Sequence, residues 1–408
     1  MDVLFIVPYV PNLVRTRPYN FIRALSERGN RVTVLTVCAN EADEADLAVL
    51  RKMVYAVEAV SLPVWRSLLN CLPAFLSGVP LQTRFSWDAG LFSRLNGRFP
   101  FDVVHVEHLR GVQYALHLKK QTQLPVIWDS VDCITHLFRQ AATQSKNTML
   151  RWRSRFELGR TERYERWLLD KFDQILVTSH LDREAMQSLN PQQPAPITVV
   201  PNGVDLNYFR PDTAVTRQEN ALVVSGKMSY HANISMVLYL VEKIMPYVWR
   251  EQPGVTLTIV GKDPAKEVMA LTEHPNITVT GTVPEIRPYL QQATVALTPL
   301  TYGAGVQNKV LEAMACGTPV VSTTRAIKPL SVQPGRDLLA ADDPAQFAHH
   351  VLELLANPAQ RAQIGRAARA YVEHNHNWHT LAGDLERIYQ QAKHQHIPAL
   401  KQKATATG

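Results

Sequence analysis

The stretch that most constrains the fold of this chain is TYGAGVQNKVLEAMACGTPVVS, residues 301–322. Its first third is a loop in which Gly305 can take backbone angles that other residues avoid. Apolar residues at helical spacing then predict a helix over 307–315, and Gly317 ends it. The apolar run 319–321 is typical of a strand buried in a parallel sheet. A loop, a helix and a buried strand in this order indicate an α/β fold.

The start of this predicted helix is suited to bind a phosphate. A helix that follows a glycine loop presents unpaired N–H groups and the positive end of its dipole. Lys309 and Glu312 are three residues apart and share a face of the first turn. A cation there can hold a diphosphate, and a carboxylate can accept hydrogen bonds from sugar hydroxyls. From periodicity alone, an ordinary loop, helix and core strand fits nearly as well.

The length and composition indicate a globular protein of two domains. The chain has 408 residues, 46% of them hydrophobic and 19% charged, which is enough for two separate cores. Four scattered cysteines form no C-x-x-C pair, so neither a zinc site nor a disulfide framework is indicated. The start, MDVLFIVPYV, lacks the features of a signal peptide, and no apolar run approaches about 18 residues. We therefore expect a cytoplasmic protein with reduced thiols.

The net charge of +7 is unevenly distributed along the chain. Residues 145–171 carry eight Lys or Arg and four Asp or Glu, a local excess of +4. Such a surface can be solvated, or it can face anionic lipid headgroups or an acidic acceptor. No nucleic-acid module accompanies the charge, so nucleic acid is not expected as a partner.

Residues 61–81 are rich in Leu and Pro and contain Trp65. Their prolines predict short helices that are broken at each of them. These helices either pack in the core or dip into a membrane surface. Peripheral association with the inner face of a membrane therefore stays open.

The first half of the chain predicts a doubly wound sheet. A buried strand over 3–7, a helix over 18–28 and a second strand over 32–37 form a βαβ unit. The loop after the first strand lies at the carboxyl edge, where such sheets bind ligands. This loop carries three polar side chains that are substrate-binding candidates, although each also fits an ordinary turn: Asn12, Arg15 and Arg17. It contains no G-x-G-x-x-G motif, so a dinucleotide cofactor is not indicated.

Two further predicted strands, 102–106 and 125–128, end at the same edge of this sheet. His108 follows the first of them, and Asp129 and Asp132 follow the second. The two carboxylates can contact sugar hydroxyls or cap the next helix. We predict Asp129 as a catalytic residue and His108 and Asp132 as substrate-binding residues.

The run GAGVQNKVLEAMACGTPVVS resembles the donor-nucleotide signature of the retaining GT-B glycosyltransferases grouped as glycosyltransferase family 4. The resemblance implies that the glycine loop faces a diphosphate and that Glu312 binds the ribose of a nucleotide sugar. It extends to ITVVPNGVDLNYFR at 197–210, which is similar to the turn that joins the two domains in this family. One position departs from the pattern: the family has a glutamate near the transferred sugar, and this chain has Ala304.

The same resemblance assigns further residues to a donor site. Lys227 takes the place of a basic residue on the donor phosphates, and Lys309 would replace a second lysine that the family has elsewhere. The donor-site residues implied in this way are Gly226, Lys227, Gly281, Thr282, Gly305, Val306, Gln307, Lys309 and Glu312. Lys227, Lys309 and Glu312 join Asp129 as catalytic candidates, and no metal is implied. The segment that often carries a catalytic-site histidine in the family reads DSVD at 129–132.

Together these features predict a GT-B fold, an α/β architecture of two Rossmann-like doubly wound domains facing a central cleft. The predicted parts are an acceptor domain (1–195), a donor domain (196–376), a helix that returns to the first domain (377–396) and a flexible tail (397–408).

The resemblance implies retaining, metal-independent transfer of a sugar from a UDP- or GDP-sugar to a hydroxyl of a glycan, lipid-linked or small-molecule acceptor. The nucleotide sugar is a co-substrate, so no cofactor is expected. Two alternatives stay open: a sugar-nucleotide epimerase or hydrolase of the same fold, and a catalytically weak nucleotide-sugar binding module.

Overall fold

The computed structural model describes five ranges of the chain: 1–95, 100–144, 148–192, 196–302 and 305–406. Side chains are described throughout these ranges except at Gln144, Leu150 and 397–406. The chain divides into two α/β units, which are described one at a time below. The first contains Met1–Pro201 and the chain from Trp378 onward, and the second contains Asn202–Asn377.

The first unit is built on a seven-stranded sheet. Its strands are β1 (Asp2–Val7), β2 (Arg31–Cys38), β3 (Ala56–Ser61), β4 (Val103–Glu107), β5 (Val126–Val131), β6 (Gln174–Val177) and β7 (Ile197–Val199). They lie in the order β3-β2-β1-β4-β5-β6-β7, and each pairing is parallel. The order reverses between β1 and β4. The loops after these two strands therefore border the place where open α/β sheets bind ligands.

The helices of this part of the chain are α1 (Thr16–Glu27), α2 (Glu41–Leu50), α3 (Val64–Ser77), α4 (Gln82–Phe85), α5 (Gly90–Ser93), α6 (His108–Gln121), α7 (Ile134–Gln144), α8 (Thr148–Leu168) and α9 (His180–Gln187). The prediction of short helices broken at each proline was wrong for α3, which runs through Pro73. A proline inside a helix removes one backbone hydrogen bond and can bend the helix without ending it.

The second unit is built on a six-stranded parallel sheet. Its strands are β8 (Ala221–Ser225), β9 (Thr256–Val260), β10 (Ile277–Val279), β11 (Val295–Thr298), β12 (Val320–Ser322) and β13 (Leu339–Ala340). They lie in the order β10-β9-β8-β11-β12-β13, which reverses between β8 and β11. Buried residues of strands and helices form two apolar clusters, one on each face of this sheet.

The helices of the second unit are α10 (His231–Tyr239), α11 (Met245–Glu251), α12 (Lys266–Met269), α13 (Arg287–Gln292), α14 (Asn308–Ala315), α15 (Thr324–Ile327), α16 (Pro344–Ala356) and α17 (Pro358–Asn375). A π-helical turn, Leu240–Ile244, joins α10 to α11, and a 3₁₀ turn, Ala270–Glu273, follows α12.

The boundary between the units lies after β7. The predicted boundary at residue 195 would assign β7 to the second domain, but β7 pairs with β6 in the first sheet. The last helix, α18 (Trp378–Ala406), belongs to the first unit. There the Trp378 ring meets the Phe21 ring edge-on, with centroids 5.0 Å apart. The flexibility of residues 397–408 stays a prediction.

No helix within the described ranges combines the length and the apolar character that a membrane span needs.

Candidate functional site

The candidate site of the second unit lies where its strand order reverses. The loop after β8 leads into α10, and the loop after β11 leads into α14. Both strands end at the carboxyl edge of the sheet, so the two loops are neighbours there. Two side-chain contacts join them. Lys309 Nζ donates to Asn233 Oδ1 over 2.5 Å, and His231 Nδ1 lies 2.6 Å from the Tyr302 hydroxyl.

Two glycines let the backbone of this edge come close together. Gly226 has a φ of +151° and Gly261 a φ of +153°, which side chains rarely allow. A Cβ on Gly261 would lie 1.7 Å from the backbone oxygen of Gly226, and a Cβ on Gly226 would lie 2.7 Å from Asn233 Nδ2. Asn233 Nδ2 in turn donates to the Lys227 carbonyl over 2.9 Å. The lack of a side chain at the predicted residue Gly226 therefore leaves room for Asn233, which lies between the backbone of Lys227 and the ammonium of Lys309.

The N-terminus of α14 lies at the same edge. The loop before it turns at Gly305, which has a φ of +80°, and the Gln307 side-chain amide donates to the Gly305 carbonyl over 3.1 Å. Val306 packs against an apolar cluster of the second unit. The first backbone N–H groups of a helix have no acceptors within the helix, and the dipole is positive there. This end of α14 is therefore suited to an anion. Ala304, the position where the family has a glutamate, lies outside the described residues.

Lys309 and Glu312 are half-buried on the first turn of α14. Burial lowers the pKa of Lys309 to about 8, although Glu312 acts against this change. Burial likewise raises the pKa of Glu312 to about 7, although Lys309 acts against it. Each side chain therefore titrates close to neutral pH. Shifted pKa values of this kind are more common at functional sites than elsewhere.

The other predicted donor-site residues lie at the same edge of the sheet. The Lys227 side chain is exposed, and its Nζ lies 4.0 Å from Asp263 Oδ2. Gly281, with a φ of +66°, and Thr282 follow β10, which is two strands away from β8. A Cβ on Gly281 would meet nothing within 4 Å among the described atoms. The part of Gly281 and Thr282 in a common site with Lys309 stays a prediction.

Sequence reasoning missed three residues of this edge: His231, Asn233 and Tyr302. Each is polar and lies about four to eight residues after the end of β8 or β11, which is a weak signal. His231 and Tyr302 are 71 residues apart in the chain, and Asn233 and Lys309 are 76 residues apart. Only the pairing of β8 with β11 brings them together.

In the first unit, Tyr9 and Glu107 meet where the strand order reverses. Tyr9 follows β1 and Glu107 ends β4, and the Tyr9 hydroxyl donates to Glu107 Oε1 over 2.9 Å. Glu107 is buried, and burial raises its pKa to about 8, with a further contribution from the charge of Asp129. A carboxyl group that stays protonated at neutral pH can donate a hydrogen bond. Glu107 directly follows the predicted strand 102–106 in the sequence, but its burial depends on the packing of the whole sheet.

Arg17 and Asp129 form a buried ion pair with each other. Arg17 is 4% and Asp129 1% exposed, and Arg17 Nε donates to Asp129 Oδ2 over 2.8 Å. Burial alone would raise the pKa of Asp129, but Arg17 and His105 outweigh it and hold the pKa below its usual range. Arg17 Nη1 also donates to the Val200 carbonyl over 2.9 Å. The pair thus ties the segment after β7 to β5. Substrate binding by Arg17 and catalysis by Asp129 stay predictions.

Asn12 and Arg15 stabilise the loop between β1 and α1. Asn12 Oδ1 accepts from the backbone N–H groups of Val14 and Arg15, at 3.0 and 2.9 Å, and Asn12 Nδ2 donates to Asp46. Arg15 Nη1 donates to the Val10 carbonyl over 2.8 Å, and its guanidinium lies over the Tyr9 ring. These contacts are those of an ordinary turn. A substrate contact by Asn12 or Arg15 stays a prediction.

His108 and Asp132 follow β4 and β5 at strained turns. His108 has a φ of +62°, and Val131 before Asp132 has a φ of +69°, which is rare for a β-branched residue. Burial lowers the pKa of His108 to about 4, and burial together with Asp182 raises the pKa of Asp132 to about 7. Strained residues with shifted pKa values are more common at functional sites than elsewhere.

No group of three His, Cys, Asp or Glu side chains within the described ranges is placed to hold a metal ion.

The structure contains two Rossmann-like units. The second has a helix N-terminus that is suited to an anion, at the place where its strand order reverses. These features define a two-domain α/β protein of the nucleotide-binding kind. Comparison with known families gives the more specific class. Residues 14–203 match the family described as Glycosyl transferase 4-like domain, and residues 219–357 match the family described as Glycosyl transferases group 1. The chain belongs to the GT-B glycosyltransferases of the glycosyltransferase family 4 type.

Individual relatives are distant. D-inositol 3-phosphate glycosyltransferase of Segniliparus rotundus is 27% identical over 241 residues, which are 55% of this chain and 54% of that protein. This chain therefore matches about half the length of that relative. An uncharacterized 44.6 kDa protein in the cps region of Klebsiella pneumoniae is 23% identical over 367 residues, which are 87% of this chain and 90% of that protein.

Solved structures agree with this class. HepE of Anabaena, solved in complex with UDP and glucose, superposes with a TM-score of 0.66 at 13% identity, covering 96% of this chain and all of that one. At this identity the likeness shows the fold. The predicted GT-B architecture of two Rossmann-like domains is confirmed.

Proposed function

We propose that this protein transfers a sugar from a nucleoside diphosphate sugar to a hydroxyl group of an acceptor. The observation that carries the proposal is Lys309, held by Asn233 beside the N-terminus of α14 where the strand order of the second unit reverses. A cation, unpaired N–H groups and a helix dipole at one place form a site for a diphosphate.

The donor would lie along this edge of the second sheet. Its diphosphate would accept hydrogen bonds from the backbone of residues 305–307 and from Lys309, with the exposed Lys227 as a second cation. Glu312 would accept hydrogen bonds from the ribose hydroxyls, and the backbone at Gly281 and Thr282 would contact the base. The roles of Lys227, Glu312 and the backbone groups follow the family resemblance, and Lys309 would replace the second lysine that the family has elsewhere.

The chemistry needs the leaving nucleoside diphosphate to be stabilised as the bond between the sugar and the phosphate breaks. Two cations and the N–H groups of α14 can stabilise the negative charge that develops on the phosphate oxygen. In the retaining reaction that the resemblance implies, the acceptor hydroxyl attacks from the side that the phosphate leaves. The acceptor oxygen forms the new bond to the sugar carbon, and its proton passes to the departing phosphate oxygen. The proposal assigns no step to a metal ion.

We propose UDP- or GDP-sugars as donors and a glycan, a lipid-linked sugar or a small molecule as acceptor. The UDP complex of the Anabaena protein and the glycosyltransferase relative of Segniliparus support this class of substrates. A thermal-shift panel of UDP, GDP, ADP and TDP identifies the base, and the sugar is then found by adding the corresponding nucleotide sugars.

Turnover tests the proposal directly. Wild-type protein should release the nucleoside diphosphate faster when an acceptor is present, also in EDTA, and Glu312→Ala and Lys309→Ala variants should release it slowly. Release without acceptor, giving free sugar or an epimer, would favour the hydrolase or epimerase. Stabilisation by the nucleotide sugar without turnover on any acceptor would favour a binding module. Folded variants that turn over at the wild-type rate would contradict the assignment of Glu312 and Lys309.

A further inference from the structure

Helix α3 turns its apolar side chains to solvent. Its buried residues, Ser67 and Ala74, are small, and Asn70 Nδ2 donates to the Trp87 carbonyl over 2.7 Å. Seven large apolar side chains of this helix are between 52% and 85% exposed, and we call them the apolar face: Val64, Trp65, Leu68, Leu69, Leu72, Phe75 and Leu76. A surface helix of a globular protein normally places such residues inward. An exposed apolar patch of this kind marks an interaction site.

The start of α8 continues the surface of α3. Phe75 stacks on Phe156 with ring centroids 5.8 Å apart, and Trp152 stacks on the same ring at 6.0 Å. Trp152 is itself 70% exposed. The Arg160 guanidinium lies 5.3 Å from the Phe75 ring centroid and 4.3 Å from that of Phe156. The two helices therefore present one connected surface with two exposed tryptophans.

Basic residues border this surface. The first turns of α8 carry three arginines, which we call the basic start of α8: Arg151, Arg153 and Arg155. The one acidic residue between positions 148 and 160 is Glu157. It is buried and accepts a hydrogen bond from the backbone N–H of Leu81 over 3.1 Å, so it points away from the surface. The positive charge of this surface is therefore not neutralised by an acid of the same segment.

We propose that the apolar face of α3, together with the basic start of α8, docks on an anionic lipid bilayer. Tryptophan and leucine enter the boundary between headgroups and acyl chains, and arginines beside them pair with phosphate headgroups. This charge complementarity favours a bilayer over a second protein chain. With 14 residues, α3 is about 21 Å long, so it lies in the plane of the surface and does not cross it.

Vesicle flotation tests this docking. We expect the full chain to float with vesicles that contain phosphatidylglycerol at low salt, less so at about 0.5 M salt, and weakly with phosphatidylcholine alone. Leu68→Glu/Leu72→Glu changes two exposed residues and should lower the partition coefficient at least about tenfold. The matched control is Val49→Glu on α2, which places a charge on another exposed apolar residue of the same unit and should float like the wild type.

A second variant, Arg153→Glu/Arg155→Glu, leaves the apolar face intact and should weaken binding to the phosphatidylglycerol vesicles about tenfold. The proposal is overturned if the wild type stays unbound to these vesicles at low salt, or if both variants float like the wild type. Sedimentation velocity tests whether a second copy of the chain covers the apolar face instead. The bilayer proposal is also overturned if the wild type is a dimer that does not float, and if Leu68→Glu/Leu72→Glu dissociates this dimer. Circular dichroism and nucleotide affinity should be unchanged in every variant, because the donor site lies in the other unit.

Discussion

We expect Lys309→Met to weaken nucleoside diphosphate binding strongly without destabilising the fold. Methionine keeps the length and the apolar stem of lysine, and the Lys309 Nζ lies 3.9 Å from the Met236 sulfur, beside which a second thioether can pack. Burial lowers the pKa of Lys309 from 10.5 to about 8, so carrying the charge at neutral pH costs the nucleotide-free protein at most roughly 3 kcal/mol. The substitution removes this cost. It also leaves Asn233 Oδ1 without its donor, at a cost of about 1–3 kcal/mol. The two changes nearly cancel or leave a small gain in stability.

Although Lys309→Met leaves stability nearly unchanged or slightly higher, it should weaken the binding of a nucleoside diphosphate. A hydrogen bond from a charged donor to a phosphate contributes about 1.5–3 kcal/mol, so the dissociation constant for a nucleoside diphosphate should rise by about 10- to 150-fold. The corresponding nucleoside lacks the phosphates and should bind Lys309→Met as it binds the wild type. This contrast isolates the phosphate contact from any general damage to the site.

Isothermal titration calorimetry with the nucleoside diphosphate and its nucleoside measures the two affinities, and thermal denaturation measures stability. Lys243→Met is the matched control, because Lys243 is an exposed lysine in the π-helical turn of the same unit. Wild-type affinity of Lys309→Met for the diphosphate would refute the phosphate role. Equal losses for the diphosphate and the nucleoside would refute it too, because the side chain would then shape the site without contacting phosphate.

Three further predictions concern the pH dependence of nucleotide binding and the stability of each unit. Nucleoside diphosphate affinity should be highest between about pH 7 and 8, because below this range Glu312, with a pKa of about 7, loses its charge and above it Lys309, with a pKa of about 8, loses its own. Gly261→Ala should lower the free energy of unfolding by at least about 2 kcal/mol, since its Cβ would lie 1.7 Å from a backbone oxygen. Arg17→Met should destabilise the first unit by about 3–5 kcal/mol, because the buried carboxylate of Asp129 loses its guanidinium partner, as urea denaturation would measure.

Each of these predictions has its own control. An affinity that rises steadily across pH 6–9 would show that the two side chains do not face the ligand. Gly254→Ala should be tolerated, because a Cβ there meets nothing within 4 Å, and an equal loss in both glycine variants would contradict the close approach at Gly261. Arg17→Met/Asp129→Leu should recover part of the lost stability, since it removes the buried carboxylate that has lost its guanidinium partner. A double variant as unstable as Arg17→Met would contradict that explanation.

The elements around the candidate donor site could be predicted because their signals are local. Apolar spacing over 307–315 and the glycine after it predicted α14, and the structure has the helix at Asn308–Ala315. A three-residue spacing was enough to place Lys309 and Glu312 on one turn. The continuous apolar run after Gly317 predicted β12, which the structure has at Val320–Ser322.

The direction of a helix face could not be predicted in the same way. Periodicity shows that residues 64–77 have an apolar stripe, and such a stripe is normally buried. In the structure the stripe of α3 points outward, because the inward positions are filled by small residues such as Ser67 and Ala74. Which side of an amphipathic helix meets the protein depends on the surface it packs against, and that surface is built from distant parts of the chain.

The sequence by itself determined the two-domain α/β class, the helix α14 with Lys309 and Glu312 on one face, and the buried strand β12 that follows it. These depend on residues a few positions apart. Only the tertiary structure decided the partners of the charged side chains: Asn233 for Lys309, and Asp129 for Arg17. The physical reason is that these pairs are 76 and 112 residues apart, and only the order and register of the strands bring them into contact.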